Sequence, residues 1–160
     1  MARGYLARQI VFPLIVACGL TSGQNKPNLN GVWKMDPARS DFGAGPVSES
    51  RLDKIDINGV NLKDTITQKL QHGAESTYDM IYTIDGKECL NHMGGDNEIK
   101  TKLTWDGNDL VGDSVGSYEG NDFTAKDRWV LSDGGKTMTV TRHISAGGSD
   151  FDMKFVFAKQ

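Results

Sequence analysis

The chain has 160 residues, 38% hydrophobic and 24% charged, with a net charge of −3 and 19 Gly against 4 Pro. That length suits one domain with a packed core, and the weak negative charge supplies no basic field for nucleic acid. Much Gly with little Pro fits a protein of many tight turns rather than a disordered chain.

Residues 1–23 stand apart. Arg3 and Arg8 precede an apolar run from Ile10 to Leu20, interrupted by Pro13; eleven residues are too few to span a bilayer but suit a signal-peptide core. The end of that run, Ile15-Val16-Ala17-Cys18-Gly19, resembles the bacterial lipobox, in which the Cys becomes the lipidated first residue. Two other readings stay open: plain cleavage near Gly19 or Gly23, and a retained segment. Export would place the protein in the periplasm, or lipid-anchored in the cell envelope, or secreted, with membrane contact only through a lipid on Cys18. Cys89 is then the one other cysteine, so no internal disulfide is expected and stability must come from packing. Residues 21–29 read as a polar tether, and the domain proper is placed at 24–160.

The segment Asn30-Gly31-Val32-Trp33 opens the first strand. Asp36-Pro37-Ala38-Arg39-Ser40 can form a single helical turn, with Asp36 capping and Pro37 at its first position. The loop Asp41-Phe42-Gly43-Ala44-Gly45-Pro46 is either a plain crossover or a lid across a barrel mouth. From residue 50 onward, turn signals recur at Asn58-Gly59, His72-Gly73, Asp85-Gly86, Gly94-Gly95, Asp106-Gly107, Gly120-Asn121, Gly134-Gly135 and Gly147-Gly148. Between them, apolar and polar residues alternate. Strands are predicted at roughly 30–35, 51–57, 60–70, 76–84, 87–93, 98–105, 110–118, 123–132, 136–144 and 151–159. The fold class is therefore all-β, an antiparallel up-and-down meander of about ten strands, which closure into a small barrel relieves of exposed edges.

Facing residues of a hairpin share a face, so register can be tested on the sequence. Across Gly147-Gly148 the pattern pairs Ile144 with Phe151 and Arg142 with Met153. Across Gly134-Gly135 it sets Asp127 opposite Arg142 and Trp129 opposite Val140. Across Gly120-Asn121 it sets Ser114 opposite Asp127 and Gly116 opposite Ala125, and across Asp106-Gly107 it sets Thr101 opposite Ser114. One polar row, Thr101-Ser114-Asp127-Arg142, is thus expected on an otherwise apolar inner wall. Gly112 and Gly116 beside it would leave inner space unfilled. In the earlier hairpins Asp64 is set opposite Tyr82, Gln68 opposite Tyr78, Tyr82 opposite Cys89, and Asp53 opposite Asp64, an unfavourable like-charge pair.

An inward Asp127–Arg142 pair survives desolvation only with good geometry and further hydrogen bonds. It is either a clamp in a filled core or an anchor at which Arg142 meets the polar head of an apolar ligand. Tyr78 and Tyr82 are likewise either core with satisfied hydroxyls or pocket lining. Cys89 reads as an inert buried thiol. His72, His92 and His143 have no ligand spacing, so no metal or cofactor is expected. Asp64 and Asp127 are the only carboxylates that suggest acid/base work, and nothing ties them to one cleft.

With Gly31-Val32-Trp33 opening an exported antiparallel meander, the chain resembles the lipocalin-like barrels of the calycin type, and most of all the small exported bacterial ones. The resemblance implies that Trp33 packs at the closed end with Gly31 beside it, and that an Arg from late in the barrel, Arg142 or Arg128, stacks on it. The family's Thr-Asp-x-x-Tyr signature is absent as such; Thr77-Tyr78-Asp79-Met80-Ile81-Tyr82 holds it only in scrambled form. Ten strands are nearer the fatty-acid-binding branch, whose two-helix lid is missing here. The leading functional reading is a non-enzymatic binding protein for a small hydrophobic or amphipathic molecule. Arg142, Asp127, Ser114, Thr101, Tyr78 and Tyr82 would line the site. The alternative is a filled barrel serving as an envelope structural or protein-interaction domain.

Overall fold

The computed structural model describes residues 26–93, 97–118 and 120–160; the leader, Cys18 and the Gly94-Gly95 turn lie outside the described residues. Ten antiparallel strands run as β1 Gly31–Met35, β2 Ser48–Asn58, β3 Asn61–Leu70, β4 Glu75–Thr83, β5 Asp85–His92, β6 Glu98–Asp106, β7 Asp109–Tyr118, β8 Asn121–Ser132, β9 Thr137–Ala146 and β10 Ser149–Lys159. Their order in the sheet is β4-β3-β2-β1-β10-β9-β8-β7-β6-β5, a meander whose two ends meet because β1 pairs with β10. A 3-10 turn at Pro37–Arg39 follows β1, with the Asp36 carboxylate accepting from the Ala38 N–H at 3.1 Å.

The barrel does not close by a backbone ladder. β4 and β5 are its free edges, and the Asn91 side chain joins them by imitating a peptide. Its Oδ1 accepts from the Ile81 N–H at 2.6 Å, and its Nδ2 donates to the Ile81 carbonyl at 2.9 Å. The expected pairing of Tyr82 with Cys89 is accordingly absent: Cys89 is half-buried near the Thr83 hydroxyl.

One end is filled. Leu29, Trp33, Leu62, Leu110, Met138 and Phe157 are all buried there, and Trp33 is fully enclosed, its Nε1–H donating to the Leu29 carbonyl at 2.8 Å. The cation on Trp33 is Lys159, with Nζ 5.1 Å from the ring centroid. Neither Arg142 nor Arg128 does this, because one is committed to Asp127 inside and the other to Asp106 and Asp109 outside. Gly31, at φ +136°, lies under that lysine; a Cβ there would come 2.8 Å from Lys159 Cε. Residues 41–46 lie against β10 toward the opposite end: Asp41 bridges to Lys154, and Phe42 meets Phe155 edge to face at 5.8 Å.

Registers in the second half follow the alternation, with Asp127 opposite Arg142 and Thr101 opposite Ser114. Three hairpins are shifted by two residues from the sequence-based expectation. Gly112, not Ser114, faces Asp127, and Gly116 faces Phe123. Asp64 faces Met80 and Ile55, while Tyr78 faces Ile66 and Tyr82 faces Leu62, so Asp53 and Asp64 are not directly opposed. A two-residue slip keeps every side chain on its face, so alternation cannot detect it. Here the strands resume one residue away from where the Gly dipeptide suggests: Asn121 is already paired with Tyr118, and Asn58 with Asn61.

Gly112 and Gly116 do not leave space. A Cβ on Gly112 would come 2.6 Å from Leu103 Cδ2, and one on Gly116 would meet the Glu98 carbonyl at 2.6 Å and the Phe123 ring at 3.0 Å. Neighbouring side chains occupy the room that the missing Cβ atoms release.

Candidate functional site

Two arginines reach into the barrel from β2 and β9, strands that β1 and β10 separate in the sheet. On β9, Arg142 grips Asp127 of β8 in a bidentate pair, Nε to Oδ1 and Nη2 to Oδ2, both at 2.7 Å. On β2, Arg51 does the same to Asp53 two residues on, at 2.7 and 2.8 Å, and lies 5.4 Å from the Phe155 ring and 5.5 Å from Phe157. Residues i and i+2 of a strand share a face, so the Arg-x-Asp step of β2 builds this pair locally. Burial opposes the charge of both guanidiniums, but the attached carboxylates outweigh it and both pKa values rise. Each bidentate pair uses two of a guanidinium's five N–H donors.

Beside the Arg51–Asp53 pair sits Asp64 of β3, 1% exposed. Burial and the nearby Asp53 carboxylate push its pKa well above the ordinary carboxylate range, against the pull of Arg51. Its Oδ1 has no hydrogen-bond partner among the described residues, and neither does Trp129 Nε1. Tyr78 and Tyr82 adjoin the cluster, and burial raises both phenol pKa values. The Thr101 and Ser114 hydroxyls bond each other at 2.8 Å.

The lumen has two adjoining parts. An outer cavity of about 360 Å³ opens at the end away from Trp33, between apolar walls that include Leu70, Phe123, Ile144 and Phe151, with Arg51, Arg142, Gln68 and Tyr78 among its polar lining. Below it lies a chamber of about 50 Å³ that Asp64, Trp129, Thr101 and Ser114 help to line. Arg51, Tyr78, Met93 and Arg142 border both, forming a neck.

All six residues picked from the sequence therefore border this lumen, but in two layers. Arg142 and Tyr78 are at the neck, whereas Asp127, Ser114, Thr101 and Tyr82 line the lower chamber. The polar row is two separate pairs, since Gly112 lies opposite Asp127 and Ser114 lies opposite Ala125. The reading missed Arg51, Asp53 and Trp129. The signal for the first two was present: Arg51, Asp53, Ile55 and Ile57 alternate on one face with apolar partners, which marks both charges as inward. His143 points outward and meets Asp152 at 2.7 Å. Among the described residues, no group of three His, Cys, Asp or Glu side chains is arranged to hold a metal ion.

No protein-family model matches the chain, and no curated protein does. Solved structures do. A SAHS (abundant heat soluble) protein from Ramazzottius varieornatus is similar with a TM-score of 0.61 at 17% identity, over 84% of this chain and 96% of that one. The fluorescent protein UnaG gives 0.52 at 14% identity, over 82% and 97%. Zebrafish ileal bile acid-binding protein, in a complex with cholic acid, gives 0.52 at 18% identity, over 82% and 98%. At these identities the likeness is one of fold alone, matched along nearly the whole of each neighbour.

Proposed function

We propose that the protein binds a small amphipathic molecule inside the barrel, its apolar body in the outer cavity and its polar end at the Arg51–Arg142 neck or in the small chamber just below it. The observation that carries this is the outer cavity itself. About 360 Å³ is within the range of small-molecule sites, roughly 300–1,000 Å³, and a few convergent polar groups on apolar walls are their usual lining. The zebrafish neighbour, solved with cholic acid, shows that a barrel of this architecture can hold such a molecule. Since the lower half is packed, the ligand enters only as far as the neck and the small chamber below it.

The leader sequence supports export of a 24–160 barrel domain, with the lipid anchor on Cys18 as its membrane attachment. A Cys18→Ser variant that keeps its lipid label in the host would rule the anchor out. The binding reading is tested by native mass spectrometry of protein from its own host together with uptake of the neutral dye Nile red. A bound mass or saturable dye fluorescence, weakened by Arg142→Ala beyond what its loss of stability explains, is expected. A protein that carries no mass and takes up no dye is a filled barrel.

A further inference from the structure

We propose that the lower chamber is a subsite for an alcohol group, so that the protein selects uncharged amphiphiles ending in a hydroxyl over the corresponding acids. The proposal rests on the binding reading above and specifies its ligand.

Charge balance is the first argument. Among the described residues the lumen holds two guanidiniums and three carboxyl groups, and Arg51 and Arg142 are already paired in bidentate fashion with Asp53 and Asp127. A ligand carboxylate would be a further anion in a low-dielectric space where no cation is left unpaired, and it would lie close to Asp64. Burial and Asp53 already favour the neutral form of Asp64, which shows how poorly this region accommodates one more negative charge.

Hydrogen-bonding polarity is the second. Asp64 Oδ1 and Trp129 Nε1 belong to residues 1% and 7% exposed, line the same chamber, and have no partner among the described residues. One is an acceptor and the other a donor, and a hydroxyl serves both, accepting from the indole N–H and donating to the carboxyl oxygen. With the Asp64 proton on Oδ2, Oδ1 is an acceptor, and an ether oxygen, an ester oxygen or a ligand carboxylate meets it as acceptor against acceptor. At about 50 Å³ the chamber has room for about one small polar group, a water share being roughly 30 Å³. Arg51, Tyr78, Met93 and Arg142 border both the chamber and the apolar cavity, so an alkyl chain attached to that group would pass between these four side chains to reach the cavity.

The test is displacement of Nile red from the purified protein at pH 7 by 1-decanol, its isomer 1-methoxynonane, and decanoate. The isomers have the same atoms, and the ether is the more apolar, so a merely apolar cavity would prefer the ether. The proposal expects 1-decanol to compete about tenfold more tightly than the ether, the loss expected for one unmade buried hydrogen bond, and more tightly than decanoate. Trp129→Phe should bring the two isomers to within about twofold, and Asp64→Leu serves as the second variant if the first fails to fold. Ether or decanoate binding as tightly as 1-decanol, no competition by 1-decanol, or a tenfold preference surviving in both variants overturns the alcohol subsite while dye uptake still supports a binding barrel. Failure of Nile red to bind at all removes both.

Discussion

Asp64→Asn is expected to stabilise the protein, and increasingly so as pH rises. Asp64 is 1% exposed, its Oδ1 has no partner among the described residues, and Arg51, the cation that acts on it, is bonded through both arms to Asp53. Burial and Asp53 hold its folded pKa well above the unfolded value near 3.8. Between those two values the native state keeps a proton that the unfolded chain has released. Stability therefore falls with rising pH in that window, by about 1.4 kcal/mol per unit, and levels off above the folded pKa. Asn reproduces the shape and donor capacity of the protonated acid without titrating. Urea unfolding of both proteins from pH 4 to 8 should give a stability difference near its minimum at about pH 4. It should grow toward neutrality with that slope, at about 3 °C in Tm per kcal/mol for a domain of this size. Taking the difference cancels every other titrating group that the substitution leaves alone. A difference that stays flat from pH 4 to 7, or a wild type that gains on the variant as pH rises, would show that Asp64 is ionised and paired in the folded state.

Three further outcomes follow from the packing. Arg142→Ala leaves Asp127 buried without its cation and should cost about 3 kcal/mol by urea unfolding, whereas Arg142→Ala with Asp127→Ala should recover at least half of it; equal losses in both would mean the pair is not coupled. Asn91→Leu removes both bonds across the β4–β5 seam, so the Ile81 amide should exchange at least tenfold faster while β9 amides near Trp129 change little; uniform acceleration would mean the seam does not open locally. Gly112→Ala drives a methyl into Leu103 and should lower stability by about 1–3 kcal/mol, and a neutral result would show that Leu103 has space to move.

Alternation along the chain determined the fold class, the ten strands and which side of the wall each residue faces, because a strand's side-chain period of two is a local property. It was enough to put Asp127 and Arg142 together, since the Gly134-Gly135 turn leaves little freedom in where the flanking strands resume. Local capping chemistry placed Asp36, and it was the resemblance carried by Gly31-Val32-Trp33, not alternation, that placed Trp33 at the closed end, where it is buried. What the tertiary structure decided is everything that depends on register modulo two and on closure. Slips of two residues moved Ser114 away from Asp127 and turned Asp64 from Tyr82 to Met80 without altering a single face. The empty space did not come from Gly112 or Gly116, whose missing side chains Leu103 and Phe123 fill; it lies where the barrel widens above Arg51 and Arg142. That two arginines from β2 and β9 meet at one neck, with Asp64 and Trp129 unpaired beneath them, follows from curling the sheet until β1 meets β10. Residues ninety positions apart in sequence become neighbours only then, and no local pattern records it.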